Sequence, residues 1–249
     1  MPRASETFVC SACGAGSAKW QGQCASCSAW NTLERVRMPG GAGRRTAGPA
    51  SGSRAIALAT LAGEHGATPR LASGSAEMDR VLGGGLVPGS VILLGGDPGI
   101  GKSTLLLQLA ARIAVSQPVL YASGEESAEQ VVLRARRLGA DVAGLSFVPE
   151  TSLVAILDAA AATRARVLVV DSVQTVQLED VASSAGSVAQ LRECTAALVR
   201  FAKATGTAVV IVGHVTKEGT IAGPRVLEHL VDCVLYFESD AGSRFRISA

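Results

Sequence analysis

Gly96-Asp97-Pro98-Gly99-Ile100-Gly101-Lys102-Ser103 is the stretch on which the fold turns. It fits G-x-x-x-x-G-K-[ST] without a gap. Before it, Val91-Ile92-Leu93-Leu94-Gly95 is an apolar run ending in glycine, the pattern of a buried strand followed by a turn. After it, residues 102–116 follow helical spacing. Strand, glycine-rich loop and helix N-terminus in that order point several backbone N–H groups at one phosphate oxyanion, and the helix dipole favours the negative charge. The stretch therefore reads as a phosphate loop for ATP. Lys102 would neutralise the β- and γ-phosphates, the Ser103 hydroxyl would ligate Mg²⁺, and Thr104 completes the nucleotide-binding set. An incidental glycine-rich turn with a chance Lys-Ser is the competing reading, and it leaves the flanking strand and helix unexplained.

The pattern continues outward as alternating strands and helices. Strands are expected at 118–122, 145–148, 167–171 and 208–213, and helices at 127–139, 153–164 and 187–205. Ser127 and Gln130 have capping-box spacing, and Gly139 suits a helix stop. Residues 231–238 and 244–247 read as a terminal hairpin. Continuous apolar strands between helices imply an α/β domain whose mostly parallel sheet is covered on both faces.

Three acids fall where such a sheet gathers ligands, at the carboxyl ends of its strands. Asp171 ends the apolar strand Val167-Leu168-Val169-Val170 and would hold Mg²⁺ opposite Ser103. Glu125 and Glu126 follow the strand 118–122, where a carboxylate can polarise the water that attacks the γ-phosphate. Two acids at a helix start are also simply favoured by the dipole. The residues alone leave those two readings even.

Cys10-x₂-Cys13 and Cys24-x₂-Cys27 stand ten residues apart. Two such knuckles supply four thiolates for a tetrahedral Zn²⁺ with no open position, hence a structural site. Cys194 and Cys233 lie in helix and strand patterns and read as small core residues. Trp20 and Trp30 flank the second knuckle. Packing of the module is the leading reading for them, with base stacking as the alternative.

The 249 residues suffice for one α/β domain plus a small appendage, and 48% hydrophobic against 18% charged excludes global disorder. Residues 1–37 are expected to form the zinc module, 38–66 a flexible linker rich in Gly, Pro and Arg at 38–54, and 67–249 the ATPase domain. Residues 1–54 carry a net charge of +5, leaving −3 for the remainder. A basic arm fits a polyanionic partner and equally fits a solvated tail. The first 20 residues lack an apolar targeting core, and no apolar run is long enough to span a membrane. A cytoplasmic protein without a membrane partner is expected, and reduced thiols there favour metal over disulfide.

Taken together, the sequence resembles the RadA (Sms) family of bacterial DNA repair proteins. The resemblance runs over nearly the whole chain. It is carried by Lys19-Trp20-x-Gly22-x-Cys24-x₂-Cys27-x₂-Trp30-Asn31, by Glu77-x-Asp79-Arg80-Val81-Leu82-Gly83-Gly84-Gly85-Leu86-Val87-Pro88-Gly89, by Tyr121-Ala122-Ser123-Gly124-Glu125-Glu126-Ser127 and by Val212-Gly213-His214-Val215-Thr216-Lys217-Glu218-Gly219. The ATPase elements recur in RecA, DnaB-like helicases and KaiC, and the finger narrows the choice. The resemblance implies a RecA-like P-loop core behind a four-cysteine zinc ribbon. It implies a DNA-dependent ATPase that forms homohexamers on single-stranded and branched DNA, drives branch migration, and works beside a RecA-type recombinase and replicative helicase machinery. It favours Glu125 over Glu126 as base and makes His214 a γ-phosphate sensor. It also makes the segments 176–187 and 217–225 DNA-facing loops, with Lys217 and Arg225 as phosphate contacts. Relatives continue into a Lys-Asn-Arg-Phe-Gly motif and a domain resembling the Lon protease. The chain here ends at Ser248-Ala249, so a C-terminally truncated piece that does not assemble stably is expected. The competing functions are a KaiC-like nucleotide-driven signalling ATPase and a zinc-ribbon nucleic-acid-binding regulator.

Overall fold

The computed structural model describes residues 6–10, 13, 15–17, 19–37, 69–214, 226–239 and 246–248. The expected linker at 38–66, the loop 217–225 and both of its cations lie outside the described residues. The chain divides into two compact units, Met1–Pro69 and Arg70–Ala249.

The first unit holds a small antiparallel sheet of β1 (Glu6–Cys10), β2 (Gly16–Ser17) and β3 (Leu33–Arg37), in the order β2-β1-β3. Among the described residues its buried apolar cluster is Cys10, Cys24 and Leu33, with Phe8, Cys13 and Ala15 packed against it. A core this small gains from a structural metal.

The second unit opens with α1 (Ala76–Val81), capped by the Ser75 hydroxyl. There follow β4 (Val91–Gly96), α2 (Lys102–Ala114), β5 (Val119–Ser123), α3 (Ala128–Leu138), β6 (Leu145–Pro149), α4 (Leu153–Ala162), β7 (Val167–Asp171), α5 (Val188–Thr205), β8 (Ala208–His214), β9 (Cys233–Ser239) and β10 (Arg246–Ser248). The sheet runs β10-β9-β4-β8-β7-β5-β6. All pairs are parallel except β10 with β9, which closes the edge antiparallel.

Strand side chains alternate between two cores. Ile92, Leu94, Val119, Tyr121, Val167, Val169, Val210 and Val212 pack with α2 and α3. Val91, Leu93, Leu120, Ala122, Leu168, Val170, Val209 and Ile211 pack with α4 and α5. Burial on both faces explains why these strands read as continuous apolar runs. Cys194 is fully buried in the second core, and burial pushes its thiol up to about 11.

The capping box forms as the spacing predicts. Ser127 Oγ accepts from the Gln130 amide, the Gln130 side chain accepts from the Ser127 amide, and Gly139 closes α3 in the left-handed conformation. Two helices stop earlier than expected. α2 ends at Ala114 because the chain must turn before Pro118, and the amides of Ser116 and Gln117 both bond to Ile113 O. α4 ends at Ala162, where Thr163 Oγ1 caps Ala159 O and Arg164 turns left-handed at φ 49°. Among the described residues, no helix is long and apolar enough to cross a membrane.

Candidate nucleotide site and metal centre

Four strand ends build the nucleotide site. In the β4–β8 ladder Gly96 stands opposite His214, and in the β5–β7 ladder Ser123 stands opposite Asp171. Because β8 and β7 lie between β4 and β5, one carboxyl edge collects the phosphate loop, His214, Asp171 and the turn that carries Glu125.

The loop leaves β4 through Gly96 at φ 151°, where a Cβ would stand 2.4 Å from Phe237 O. No other residue fits there without moving β9. Gly101, left-handed at φ 107°, is the N-cap of α2 and offers no side-chain cap. The first four amides of a helix have no intrahelical partner. At α3 a serine and a glutamine cap that end, whereas at α2 the N–H groups stay available to an anion.

Lys102 is only 3% exposed, and its ammonium donates to Gly96 O at 2.7 Å and Asp97 O at 2.9 Å. Burial lowers its pKa, against the opposing pull of Asp171, Asp97 and Glu125.

Asp171 is 3% exposed and uses one oxygen. Tyr121 donates its hydroxyl to Oδ2 at 2.6 Å, while Oδ1 is buried with no partner. Burial, with Asp171 beside it, raises the Tyr121 pKa well above its ordinary value, so the phenol stays a donor. The orphaned Oδ1 is what a carboxylate that binds a hydrated cation leaves over.

The two neighbouring acids have different surroundings. Glu126 pairs with the Arg134 guanidinium of α3, and burial raises its pKa despite that partner. Glu125 Oε1 accepts from Ser172 Oγ at 2.6 Å and lies 3.5 Å from His214 Nε2. The hydrogen bond from His214, together with Ser172 and the Lys102 charge, outweighs burial and holds the Glu125 pKa at about 2. Of the pair, Glu125 faces His214, Ser172 and Lys102, whereas Glu126 faces Arg134 and Asp171.

The loop 176–187, expected as a DNA-facing segment, is held by backbone bonds of Gln177 to Thr151 and Leu153 and by one side chain of α5. Gln190 is 2% exposed on α5. Its Oε1 accepts from the Leu178 amide, and its Nε2 donates to the carbonyls of Leu178, Val181 and Ser183 at 2.9–3.1 Å. Sequence reasoning missed it, although a signal exists: Gln190 continues the buried stripe of Cys194 and Leu198 at helical spacing.

In the first unit Cys10, Cys13, Cys24 and Cys27 come together, with their sulfur atoms all within 4.8 Å of one another. Cys10 Sγ lies 3.7 Å from Cys27 Sγ, and Cys13 Sγ lies 3.6 Å from Cys24 Sγ. Zn–S bonds of about 2.3 Å at tetrahedral angles require sulfur separations of about 3.8 Å. All four thiols are free of disulfides. The Ala15 amide pulls the Cys13 pKa down, but burial and the Cys27, Cys10 and Cys24 thiols push it up to about 12. Four crowded thiols of this kind fit a divalent cation. The tryptophans do not pack the module as expected. Trp30 touches Gly22 yet is 69% exposed, and Trp20 is 57% exposed. The module closes around its cysteines and Leu33 without them.

Comparison with known proteins finds relatives and family matches. A family profile described as an AAA domain matches residues 65–220, and one described as a rubredoxin metal binding domain matches residues 8–35. The protein called DNA repair protein RadA in Pseudomonas aeruginosa is 51% identical over 99% of this chain and 54% of its own length. Its counterpart in Escherichia coli is 49% identical over 96% of this chain and 53% of its own, and that in Bacillus subtilis 48% over 99% and 55%. The chain thus spans about half the length of the curated relatives it matches.

Proposed function

Because the chain belongs to the AAA-domain family and is similar along nearly its whole length to proteins named for DNA repair, we propose that it is a DNA-dependent ATP hydrolase of recombination and repair. It binds single-stranded DNA and promotes branch migration of recombination intermediates, as a homohexamer in the full-length form. The observation that carries this reading is the gathering at one sheet edge of an uncapped helix N-terminus, a buried lysine, an orphaned aspartate oxygen and a glutamate held by Ser172.

In this reading Gly96, Asp97, Pro98, Gly99, Ile100, Gly101 and Thr104 wrap the phosphates, with the α2 amides pointing at them. Lys102 releases its two carbonyls to meet the β- and γ-phosphates. Ser103 and Asp171 would hold Mg²⁺, which when bound neutralises charge on the phosphate oxygens. Glu125, ionised across the working pH range, accepts the proton of the attacking water. His214 stands where its imidazole reports the γ-phosphate to β8 and the segment after it. The coupled assay that tests this is ATP hydrolysis with and without single-stranded DNA at two salt concentrations. No hydrolysis in either arm would end the reading.

Lys217 and Arg225 serve as phosphate contacts and not as base readers. Replacing both with Ala is expected to weaken binding to all single strands alike. It should also flatten the log–log salt dependence by about 1.4, at about 0.7 per phosphate contact on single strands. Fluorescence anisotropy of labelled oligonucleotides over a salt series measures both. Binding that ignores salt would contradict the assignment.

The four cysteines hold one structural Zn²⁺ per chain. The only two tryptophans of the sequence, Trp20 and Trp30, both lie in this module, so their fluorescence reports on it alone. Chelation is expected to lower tryptophan anisotropy while the ATPase unit keeps its nucleotide affinity. Freshly reduced protein without zinc by elemental analysis would refute the site.

A further inference from the structure

The carboxylate proposed to activate water is a flexible side chain, 43% exposed, and both of its contacts fall on one oxygen. Ser172 is fully buried and spends its hydroxyl on Glu125 Oε1 at 2.6 Å, and His214 Nε2 approaches that same oxygen. We propose that Ser172 is a positioning residue for hydrolysis, fixing Glu125 through Oε1 so that the carboxylate presents Oε2 to the attacking water. This rests on Glu125 being the general base.

The backbone around the pair is built to set that distance. Gly124 N donates to Asp171 O at 3.3 Å, tying the turn after β5 to the end of β7. Thr175 Oγ1 donates to Ser172 O at 2.9 Å and closes the turn that carries Ser172. The two turns touch at Gly124, where a Cβ would lie 2.5 Å from Thr175 Oγ1 and 2.9 Å from Thr151 Cγ2. Only glycine allows this approach. On the other flank, Ser123 Oγ accepts from the amides of Glu125 and Glu126 at 3.3 and 3.1 Å. The main chain thus brings Glu125 and Ser172 together, and the Ser172 hydroxyl is the last link, the one that chooses among glutamate rotamers. A buried hydroxyl requires a partner in any fold. Here the partner is an exposed, ionised group that could have met its own needs in water, so the contact orients Glu125 more than it rescues Ser172.

The test is a double-mutant cycle on Ser172→Ala and Glu125→Gln, reading kcat, ATP affinity and thermal unfolding. Ser172→Ala should lower kcat roughly 10- to 100-fold, the scale of misplacing a reacting group by about an ångström. ATP affinity and unfolding temperature should hold. In the Glu125→Gln background the same change should cost nothing further, because the base it orients is gone. A purely structural role would instead lower stability and give the same fold loss in both backgrounds. Gly124→Ala offers a second handle. It keeps the hydroxyl but pushes the turns apart, and it should reproduce the kcat loss with affinity intact. Wild-type kcat in Ser172→Ala, or equal losses in both backgrounds, overturns the proposal while leaving Glu125 as base. Wild-type kcat in Glu125→Gln removes the base itself, and the proposal falls with it.

Discussion

Glu125→Gln is expected to bind ATP as the unaltered protein does and to hydrolyse it at least about 10² times more slowly, the scale on which general bases act. The amide keeps the size of the side chain and can still accept from Ser172 Oγ, so the turn after β5 is not disturbed. What disappears is the charge. His214 and Ser172 lower the Glu125 pKa to about 2, so the carboxylate is ionised at neutral pH. A folded-state pKa lowered from its ordinary value marks an interaction present at neutral pH and lost only as the pH falls toward 2. In the nucleotide-free protein, protonation of Glu125 is therefore not expected between pH 7 and 5. Glu126→Gln is the control. Its carboxylate is engaged by Arg134, so its loss should touch α3 more than turnover. Single-turnover hydrolysis measured beside equilibrium ATP binding separates the two. A rate loss in Glu126→Gln with normal turnover in Glu125→Gln would exchange their roles.

Which parts of this site are legible in the sequence follows from how far apart its members stand. The proposed phosphate loop is eight consecutive residues, and its shape depends on local glycine geometry and a helix start, so spacing alone suggests it. β7 matches its expected bounds, Val167–Asp171, because a continuous apolar run closed by a carboxylate has sharp edges. The Ser127 cap is likewise local. α1 escapes a reading from pattern, since six residues give no usable periodicity. The strands of the zinc module escape it for a similar reason, being short and interrupted by the knuckles.

The long-range pairings have no local signature. Ser172 meets Glu125 across 47 residues only because β7 lies beside β5, and strand order cannot be read from the strands themselves. The same holds for His214 opposite Gly96. In the sequence, the choice between Glu125 and Glu126 rests on resemblance, because both follow one strand end within a few residues. The structure separates their surroundings through partners on other elements, Ser172 and His214 for one and Arg134 for the other. Exposure of the tryptophans depends on what else fills the module, and the cysteines and Leu33 already do so.

Lys102→Ala is expected to weaken ATP binding by about 10²-fold, since hydrogen bonds to a charged group contribute about 1.5–3 kcal/mol and Lys102 can offer the phosphates more than one. The fold should survive. Lys102 lies at the mouth of the loop, and the carbonyls it holds, Gly96 O and Asp97 O, become open to water when the side chain is cut back. Its ammonium is also a desolvated charge whose pKa burial lowers, so removing it takes away a cost from the nucleotide-free protein. The unfolding temperature without ATP should therefore stay level or rise, while the increase that ATP confers should shrink to a small fraction. At 100 times Kd a ligand stabilises by about 2.7 kcal/mol, and a hundredfold weaker ligand at the same concentration by about 0.4 kcal/mol. Lys102→Arg distinguishes charge from shape. If a positive charge alone were needed, arginine would restore binding. In a slot that leaves Lys102 3% exposed, a wider planar guanidinium cannot sit between the loop carbonyls and the phosphates, so binding should stay weak. Thermal shift with and without ATP, alongside titration with a fluorescent ATP analogue, measures all three proteins. Unchanged affinity in Lys102→Ala would remove the lysine from the site, and the phosphate loop would then bind through its amides alone.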